Sequence, residues 1–422
     1  CTRRSGSSSL ARRVVVTGMG LVTPVGTDTE STWSALLAGR SGAGPITKFD
    51  PSRLSVRFAC EVKGFDPLLY IDRKEARRYD LFAQFALGAA AQAVAQAGLE
   101  GGFPTPDRTG VIIGSGIGGM QTYEDNCRIF IEKGPDRVSP FFVPMFIPDI
   151  GAGLVSMRYG LRGPNFATVS ACASSAHAIG ESFRLIQSGR ADCMVTGGSE
   201  AAITGLTVAA FANMKALSFR NDDPATASRP FDLDRDGFVL GDGGGIVVLE
   251  SLEHARERGA SILGEVAGYG ASGDAYHITS PPESGEGAQL ALRNCLEDGQ
   301  IALADVGYIN AHGTSTPVGD VAETRAVTAV FGEHARDLVF GSTKSMTGHL
   351  LGGAGALEFC VALQTVRTGR IPPTINQFTP DPECDLDSAP NAMRERPVKV
   401  ALSNSFGFGG HNASLAVRGF EE

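Results

Sequence analysis

Cys172 stands in residues 168–180, TVSACASSAHAIG, where a short β-rich run gives way to a helical pattern. At the start of that helix, free backbone N–H groups and the helix dipole favour a thiolate. The small neighbours Ala171, Ala173, Ser174 and Ser175 leave room for a substrate. This is the layout of an activated nucleophile, weighed against a buried structural cysteine. His177 lies five positions on, off the i, i+4 face, and reads as structural.

Three further loops hold polar or glycine-rich groups. Residues 310–320, NAHGTSTPVGD, follow an apolar run and contain His312. Residues 341–353, GSTKSMTGHLLGG, place Lys344 and His349 five apart ahead of a helical pattern. Each His alone suits a structural role. Two His and a Lys on small-residue loops, taken with Cys172, offer a nucleophile and donors for a developing oxyanion. In residues 404–412, NSFGFGGHN, Gly407, Gly409 and Gly410 let the backbone turn sharply and aim N–H groups into a pocket. Phe406 or Phe408 would gate it.

Two motifs read as decoys. Residues 114–119, GSGIGG, fit a dinucleotide fingerprint, but Glu124 and Asp125 come too early for the ribose-binding acid. Asp232, Asp234 and Asp236 (DLDRDG) resemble the start of a calcium loop, yet Gly243 stands where the twelfth-position Glu belongs. A turn is the better reading.

The elements that must position these residues alternate. Strand-like runs fall at 13–17, 111–113, 193–196 and 246–249, and helical ones at 31–37, 83–97, 174–187, 287–296 and 320–331. Alternation of this kind predicts an α/β fold with covered sheets. Segments 174–190 and 353–370 look alike, as do 236–250 and 404–417, and VVVTGMG is matched by 263–270, LGEVAGYG. An internal duplication follows, joined near 251–262.

Composition narrows the classes. The 422 residues include 54 Gly, near twice the usual share of about 7%. That excess belongs in turns or where backbone approaches something closely. The formal charge, 37 − 46 = −9, argues against nucleic-acid binding. Eight Cys are dispersed without a CxxC pair, so reduced thiols are expected. No membrane span is expected: 81–99 is uncharged but Ala-rich and carries three Gln. Residues 1–12 are Ser- and Arg-rich and read as a tag, a leader or a transit-peptide remnant.

Taken in order, SACASSAHA, SRPFDLDRDGFVLGDG, SGDAYHITSPP, NAHGTSTPVGD, STKSMTGHLLGGAG and SNSFGFGGHN resemble the elongating beta-ketoacyl-acyl-carrier-protein synthases. The resemblance spans about residues 13–420. It implies a thiolase-like fold of two duplicated α/β halves, 13–260 and 261–422, layered α-β-α-β-α. It implies decarboxylative condensation of an acyl-Cys thioester with a malonyl thioester. Cys172 matches the nucleophile, His312 and His349 the pair on the malonyl carbonyl, and Lys344 the lysine that holds the site's electrostatics. The N–H groups of Cys172 and Phe408 match the oxyanion hole, with Phe408 also the gate. Thr314, Thr316 and Gly409 match substrate contacts, and Ile117 and Phe211 the acyl-pocket wall. No organic cofactor or metal is implied for catalysis, although some members bind K+ or Na+ where Asn310, Glu358, Ser403 and Asn404 fall.

The implied partner is acyl carrier protein, itself acidic. Docking on an acidic chain then needs a local basic patch. Lys74, Arg77 and Arg78 have helical spacing and match the family's docking region, with Arg137 and Lys215 added to it; the alternative is a solvated helix face. A homodimer is implied, with no membrane partner, in a bacterial cytoplasm, or an organelle matrix if 1–12 is a transit remnant. The rival readings are an iterative polyketide ketosynthase and a non-catalytic chain-length subunit, which typically lacks the nucleophile.

Overall fold

A computed structural model of the chain describes residues 12–422. The expected leader, 1–12, lies outside the described residues except for Arg12. That residue is held in the fold, bonded to Asp192 at 2.9 Å and Ser251 at 2.6 Å.

The main sheet takes five strands from the first part of the chain: β1 (Val14–Val22), β2 (Thr109–Gly114), β3 (Asn165–Phe166), β4 (Cys193–Glu200) and β5 (Gly243–Ser251). Five follow from the second: β6 (Gly264–Gly273), β7 (Val306–Asn310), β8 (Val339–Gly341), β9 (Val400–Gly407) and β10 (His411–Arg418). They order as β8-β7-β9-β10-β6-β1-β5-β4-β2-β3. Read outward from the centre, both sets run first, fifth, fourth, second, third. Both also alternate direction alike, antiparallel twice and then parallel twice. Among the described residues, only Val14–Val16 against Gly264–Val266 joins the sets.

The main helices are α1 (Leu81–Gln96), α2 (Met120–Lys133), α3 (Ile150–Tyr159), α4 (Ser174–Gln187), α5 (Glu286–Asp298), α6 (Pro317–Phe331) and α7 (Ala354–Thr368). α4 and α7 touch strands of both sets and form the middle layer. α1 and α3 cover one outer face and α5 the other, with α6 packed beside α5 and its Val327 and Phe331 in the same apolar cluster as Val306 and Ile309. The expected α-β-α-β-α layering is therefore present. Its largest apolar cluster lies in the middle, around Ile179, Phe183, Leu357 and Val361.

The strand glycines explain how closely the layers approach. A Cβ on Gly18 or Gly20 would lie 2.0 Å from Ala93 O or 2.1 Å from Ala89 O of α1. In the second set, one on Gly270 would lie 2.1 Å from Ala291 O of α5. VVVTGMG and LGEVAGYG correspond because each lets a helix backbone rest directly on a strand.

Candidate active site

Cys172 sits in a one-turn 3-10 segment, Ala171–Ala173, that leads straight into α4. Ala171 adopts φ 51°, a left-handed conformation costly for a residue with a Cβ. His312 lies just beyond β7, its N–H donating to Glu323 Oε1 at 2.9 Å. His349 is pinned by backbone bonds to Val239 and Gly241, 2.8 and 2.9 Å long. These segments, distant in sequence, bring Cys172 Sγ to 3.0 Å from His349 Nε2. Donor atoms of Cys172, His312 and His349 all lie within 4.8 Å of one another. The two imidazoles are nearly perpendicular, with centroids 5.3 Å apart.

Burial governs the protonation of this cluster. It pushes the Cys172 thiol up to about 12, with Lys344 and the Phe408 N–H pulling the other way. Loss of hydration thus works against the thiolate that the helix terminus is expected to favour. Burial, and then the Lys344 charge, hold His312 and His349 well below the ordinary imidazole range. The Nδ1 atoms of both rings are buried without a partner. A bare acceptor is tolerated there better than an orphaned N–H, which favours N–H on Nε2.

Lys344, buried behind the histidines, is ion-paired with Glu358. Burial raises Glu358 to about 7, opposed by Lys344. Burial also raises Glu323 to about 7, opposed by the N–H groups of Gly313 and His312. Oxygens of Asn310, Ser403 and Glu358 are buried and unpartnered, and Asn310 and Ser403 are register neighbours on β7 and β9. Such hard oxygen donors suit an alkali cation. Asn404, on the next position of β9, donates to Glu323 and accepts from Ser414.

A cavity of about 460 Å³ opens onto the cluster. The expected substrate contacts Thr314 and Thr316 and the expected wall residues Ile117 and Phe211 line it, together with Phe408 and with Lys215, a residue expected on the docking surface. The Thr314 and Thr316 hydroxyls lie 3.1 Å apart. The Phe408 and Phe211 rings lie 6.4 Å apart, so the expected gate residue meets the expected wall. Gly407, Phe408 and Gly410 line the cavity from the glycine-rich loop, while the N–H of Gly409, the expected substrate contact, is taken by Ile278 O at 2.8 Å.

The basic patch is a partial correction. The helix at Lys74 is one turn, Arg73–Ala76, with Arg77 at its C-cap and Arg78 beyond, so no extended helical face forms. Asp80 caps the next helix four residues later, and the chain between must turn. Lys74, Arg77, Arg78 and Arg137 are all exposed, and Arg78 stacks on Phe141 at 4.7 Å.

The decoys resolve as turns. The N–H groups of Gly116, Ile117 and Gly118 bond the Glu200 carboxylate rather than a phosphate. Asp232 accepts N–H bonds from Asp234, Phe378 and Thr379. His177 bonds Ser170 at 2.6 Å and does not line this cavity.

Sequence reasoning passed over Glu200, Glu323 and Phe238, which packs edge-on to His349 at 5.4 Å. An acid ending the apolar run MVTGGSE, and another inside the helix PVGDVAETRAV, were the available signals. The motif SGDAYHITSPP, without an assigned role, supplies Asp274, His277, Thr279 and Ser280 to the cavity mouth.

Residues 11–255 match the family described as beta-ketoacyl synthase, N-terminal domain, and 263–378 its C-terminal domain. The 3-oxoacyl-[acyl-carrier-protein] synthase 2 of Synechocystis sp. is 52% identical over 410 residues, 97% of this chain and 99% of that protein. The same-named protein of Staphylococcus aureus (strain COL) has equal identity and coverage. Among solved structures, the ishigamide ketosynthase/chain length factor superposes with TM-score 0.91 at 34% identity, covering 97% of this chain and all of that one. A type II polyketide ketosynthase in complex with its acyl-carrier protein gives 0.89 at 35%, and a beta-ketoacyl synthase from Burkholderia phymatum STM815 gives 0.89 at 37%, each with that same coverage.

Proposed function

The chain belongs to the beta-ketoacyl synthase family, and from that premise we propose how its own residues carry out the condensation. It is a condensing acyltransferase of fatty-acid elongation, with 3-oxoacyl-acyl-carrier-protein synthase activity. The observation that carries the residue roles is the 3.0 Å approach of Cys172 Sγ to His349 Nε2, with His312 alongside, at the inner end of the cavity.

Cys172 attacks the carbonyl of an acyl thioester. The thiol proton leaves with the carrier's sulfur, and the acyl group stays on Cys172. The N–H groups of Cys172 and Phe408 hold the oxyanion. A malonyl thioester then enters and loses CO2, and the electron pair of the broken C–C bond becomes an enolate. Neutral His312 and His349 donate Nε2–H to its oxygen, so no strong base is needed. The enolate carbon attacks the acyl-Cys carbonyl, the C–S bond breaks, and the departing Cys172 sulfur takes up a proton. Thr314 and Thr316 hold the pantetheine arm, while Ile117 and Phe211 border the acyl chain. Asn310, Ser403 and Glu358 would hold a monovalent cation, whose positive charge would support this buried acidic region. No other cofactor enters the reading.

The partner is acyl carrier protein, docked over Lys74, Arg77, Arg78, Arg137 and Lys215. Two copies associate through the β3 edge, where Met157, Phe166 and Val169 leave apolar surface exposed. Residues 13–260 and 261–422 act as the two halves of each subunit. No described helix is long and apolar enough to cross a membrane, and the reading places the enzyme in a bacterial cytoplasm.

The test is Cys172→Ala. It abolishes both condensation and covalent labelling by a thiol-directed acylating or alkylating inhibitor. Labelling that persists at Cys193 or Cys295 overturns the assignment.

A further inference from the structure

The two central helices are entered through the same turn. Cys172 lies in Ala171–Ala173 ahead of α4, and Gly352 lies in Leu351–Gly353 ahead of α7. Each turn begins with a left-handed residue, Ala171 at φ 51° and Leu351 at φ 48°. By position, Gly352 is the second half's counterpart of Cys172. The neighbouring loops correspond too. The loop after β7 brings His312 to Cys172, and the loop after β2, its topological equivalent, brings Ser115–Gly118 to Gly352.

What faces Gly352 is the carboxylate of Glu200, at the end of β4 and fully buried. It accepts from Ser115 Oγ at 2.9 Å and from four backbone N–H groups: Gly116 at 2.7 Å, Ile117 at 3.2 Å, Gly118 at 3.3 Å and Gly352 at 3.0 Å. Converging N–H groups of this kind form an anion-binding nest. Here the chain's own side chain fills it.

We infer that Glu200 is a positioning residue: the resident anion of a second, non-reacting copy of the site, it fixes the loop that carries Ile117 and so sets which acyl chains Cys172 accepts. The loop has no slack. A Cβ on Gly116 would lie 2.9 Å from Glu200 Oε2, 3.3 Å from Ala171 O and 3.5 Å from Gly352 N. Gly116 is thus wedged between Glu200 and the nucleophile's turn. Ile117 and Leu351, on the two tethered segments, line the cavity beside Cys172. Only a carboxylate satisfies all five donors. An amide must turn its NH2 toward one pair of backbone N–H groups, Ile117 and Gly118 or Gly116 and Gly352. The Glu200 charge also raises the Cys172 thiol. This role rests on the condensing function proposed above.

The experiment compares the unaltered chain with Glu200→Gln and the milder Ser115→Ala. Two quantities are read: kcat/KM for acyl-carrier-protein primers of graded length, and the pH dependence of Cys172 alkylation by iodoacetamide. Glu200→Gln changes the long-to-short primer ratio by about tenfold to 100-fold, the scale of a misplacement near 1 Å. It also shifts alkylation to lower pH, because a negative charge is lost. Ser115→Ala moves the primer ratio the same way but less. A role in folding alone lowers every primer by one factor and leaves the ratio and the pH profile where they were, which overturns the proposal. If Glu200→Gln does not fold, an unchanged ratio in Ser115→Ala overturns it. If the unaltered chain is not acylated at Cys172, the condensing function fails and takes this role with it. If it is acylated normally and both variants keep its ratio, the Glu200 role fails alone.

Discussion

Burial decides the state of Cys172 at rest. The small residues around it were legible as room for substrate, but they also signal a site with little water. A thiol held near 12 is almost wholly protonated at neutral pH. The thiolate is the alkylating form, so the rate constant for iodoacetamide at Cys172 rises about tenfold per pH unit from pH 7 to 10. A plateau reached below about pH 8, followed by mass spectrometry of the Cys172 peptide, would contradict this account. Cys172, His312, Lys344, His349 and Phe408 were all readable as residues, because each sits in a short segment of distinctive composition. Glu200 and Glu323 were not. Their partners are backbone N–H groups of distant loops, Gly116 and Gly352 for one, His312 and Gly313 for the other. No spacing along the chain encodes a backbone donor.

Among the elements, long periodic segments were the most legible and short connectors the least. The 174–187 helix appears with the bounds its pattern predicts, since the small residues before it and Ser188–Gly189 after it mark both ends. The 320–331 helix starts three residues earlier, because Pro317 has the φ of a first helical turn and has no N–H to lose there. Lys74–Arg78 failed as a helical face for the opposite reason: Asp72 and Asp80 each cap a helix, leaving only one turn between them. The glycine excess was visible, but not its cause. It is now assigned in part to strand–helix contact, which gives a direct test. Gly20→Ala places a methyl group 2.1 Å from Ala89 O, and neither backbone can yield without parting α1 from β1. Overpacking of this kind costs about 1–3 kcal/mol or more. Gly101→Ala meets nothing within 4 Å and serves as the control, expected within about 0.5 kcal/mol of the unaltered chain. Denaturant midpoints decide it: equal stability of the two variants would mean that the layers separate easily.

At the scale of the whole molecule, two halves of one topology build a site that neither contains alone. Cys172 comes from the first, while His312, His349 and Phe408 come from the second, and they meet where α4 and α7 begin. The duplication was readable from repeated segments. The asymmetry was not, because it lies in which copy of the turn keeps an open cavity and which is filled by Glu200. The proposed docking of carrier protein belongs to the outer surface of this assembly. The chain is acidic overall, at −9, so its net field repels an acidic carrier protein, and productive approach must depend on local charge. Lys74, Arg77 and Arg78 project from a single turn between two capped helices, and Arg78 is braced on Phe141. Reversing Arg77 and Arg78 to Glu therefore raises KM for acyl-carrier-protein substrates about tenfold, as expected for loss of complementary charge at an interface rim. It leaves kcat/KM for a small acyl thioester, which needs no docking, at the unaltered value. Because exposed charges are screened by salt, raising ionic strength weakens the unaltered chain's use of carrier protein more than the variant's. An equal loss with the small thioester would mean that the substitutions disturbed the site itself. An unchanged KM with carrier protein would remove this patch from the docking surface and leave Lys215, at the cavity mouth, as the charge to test next.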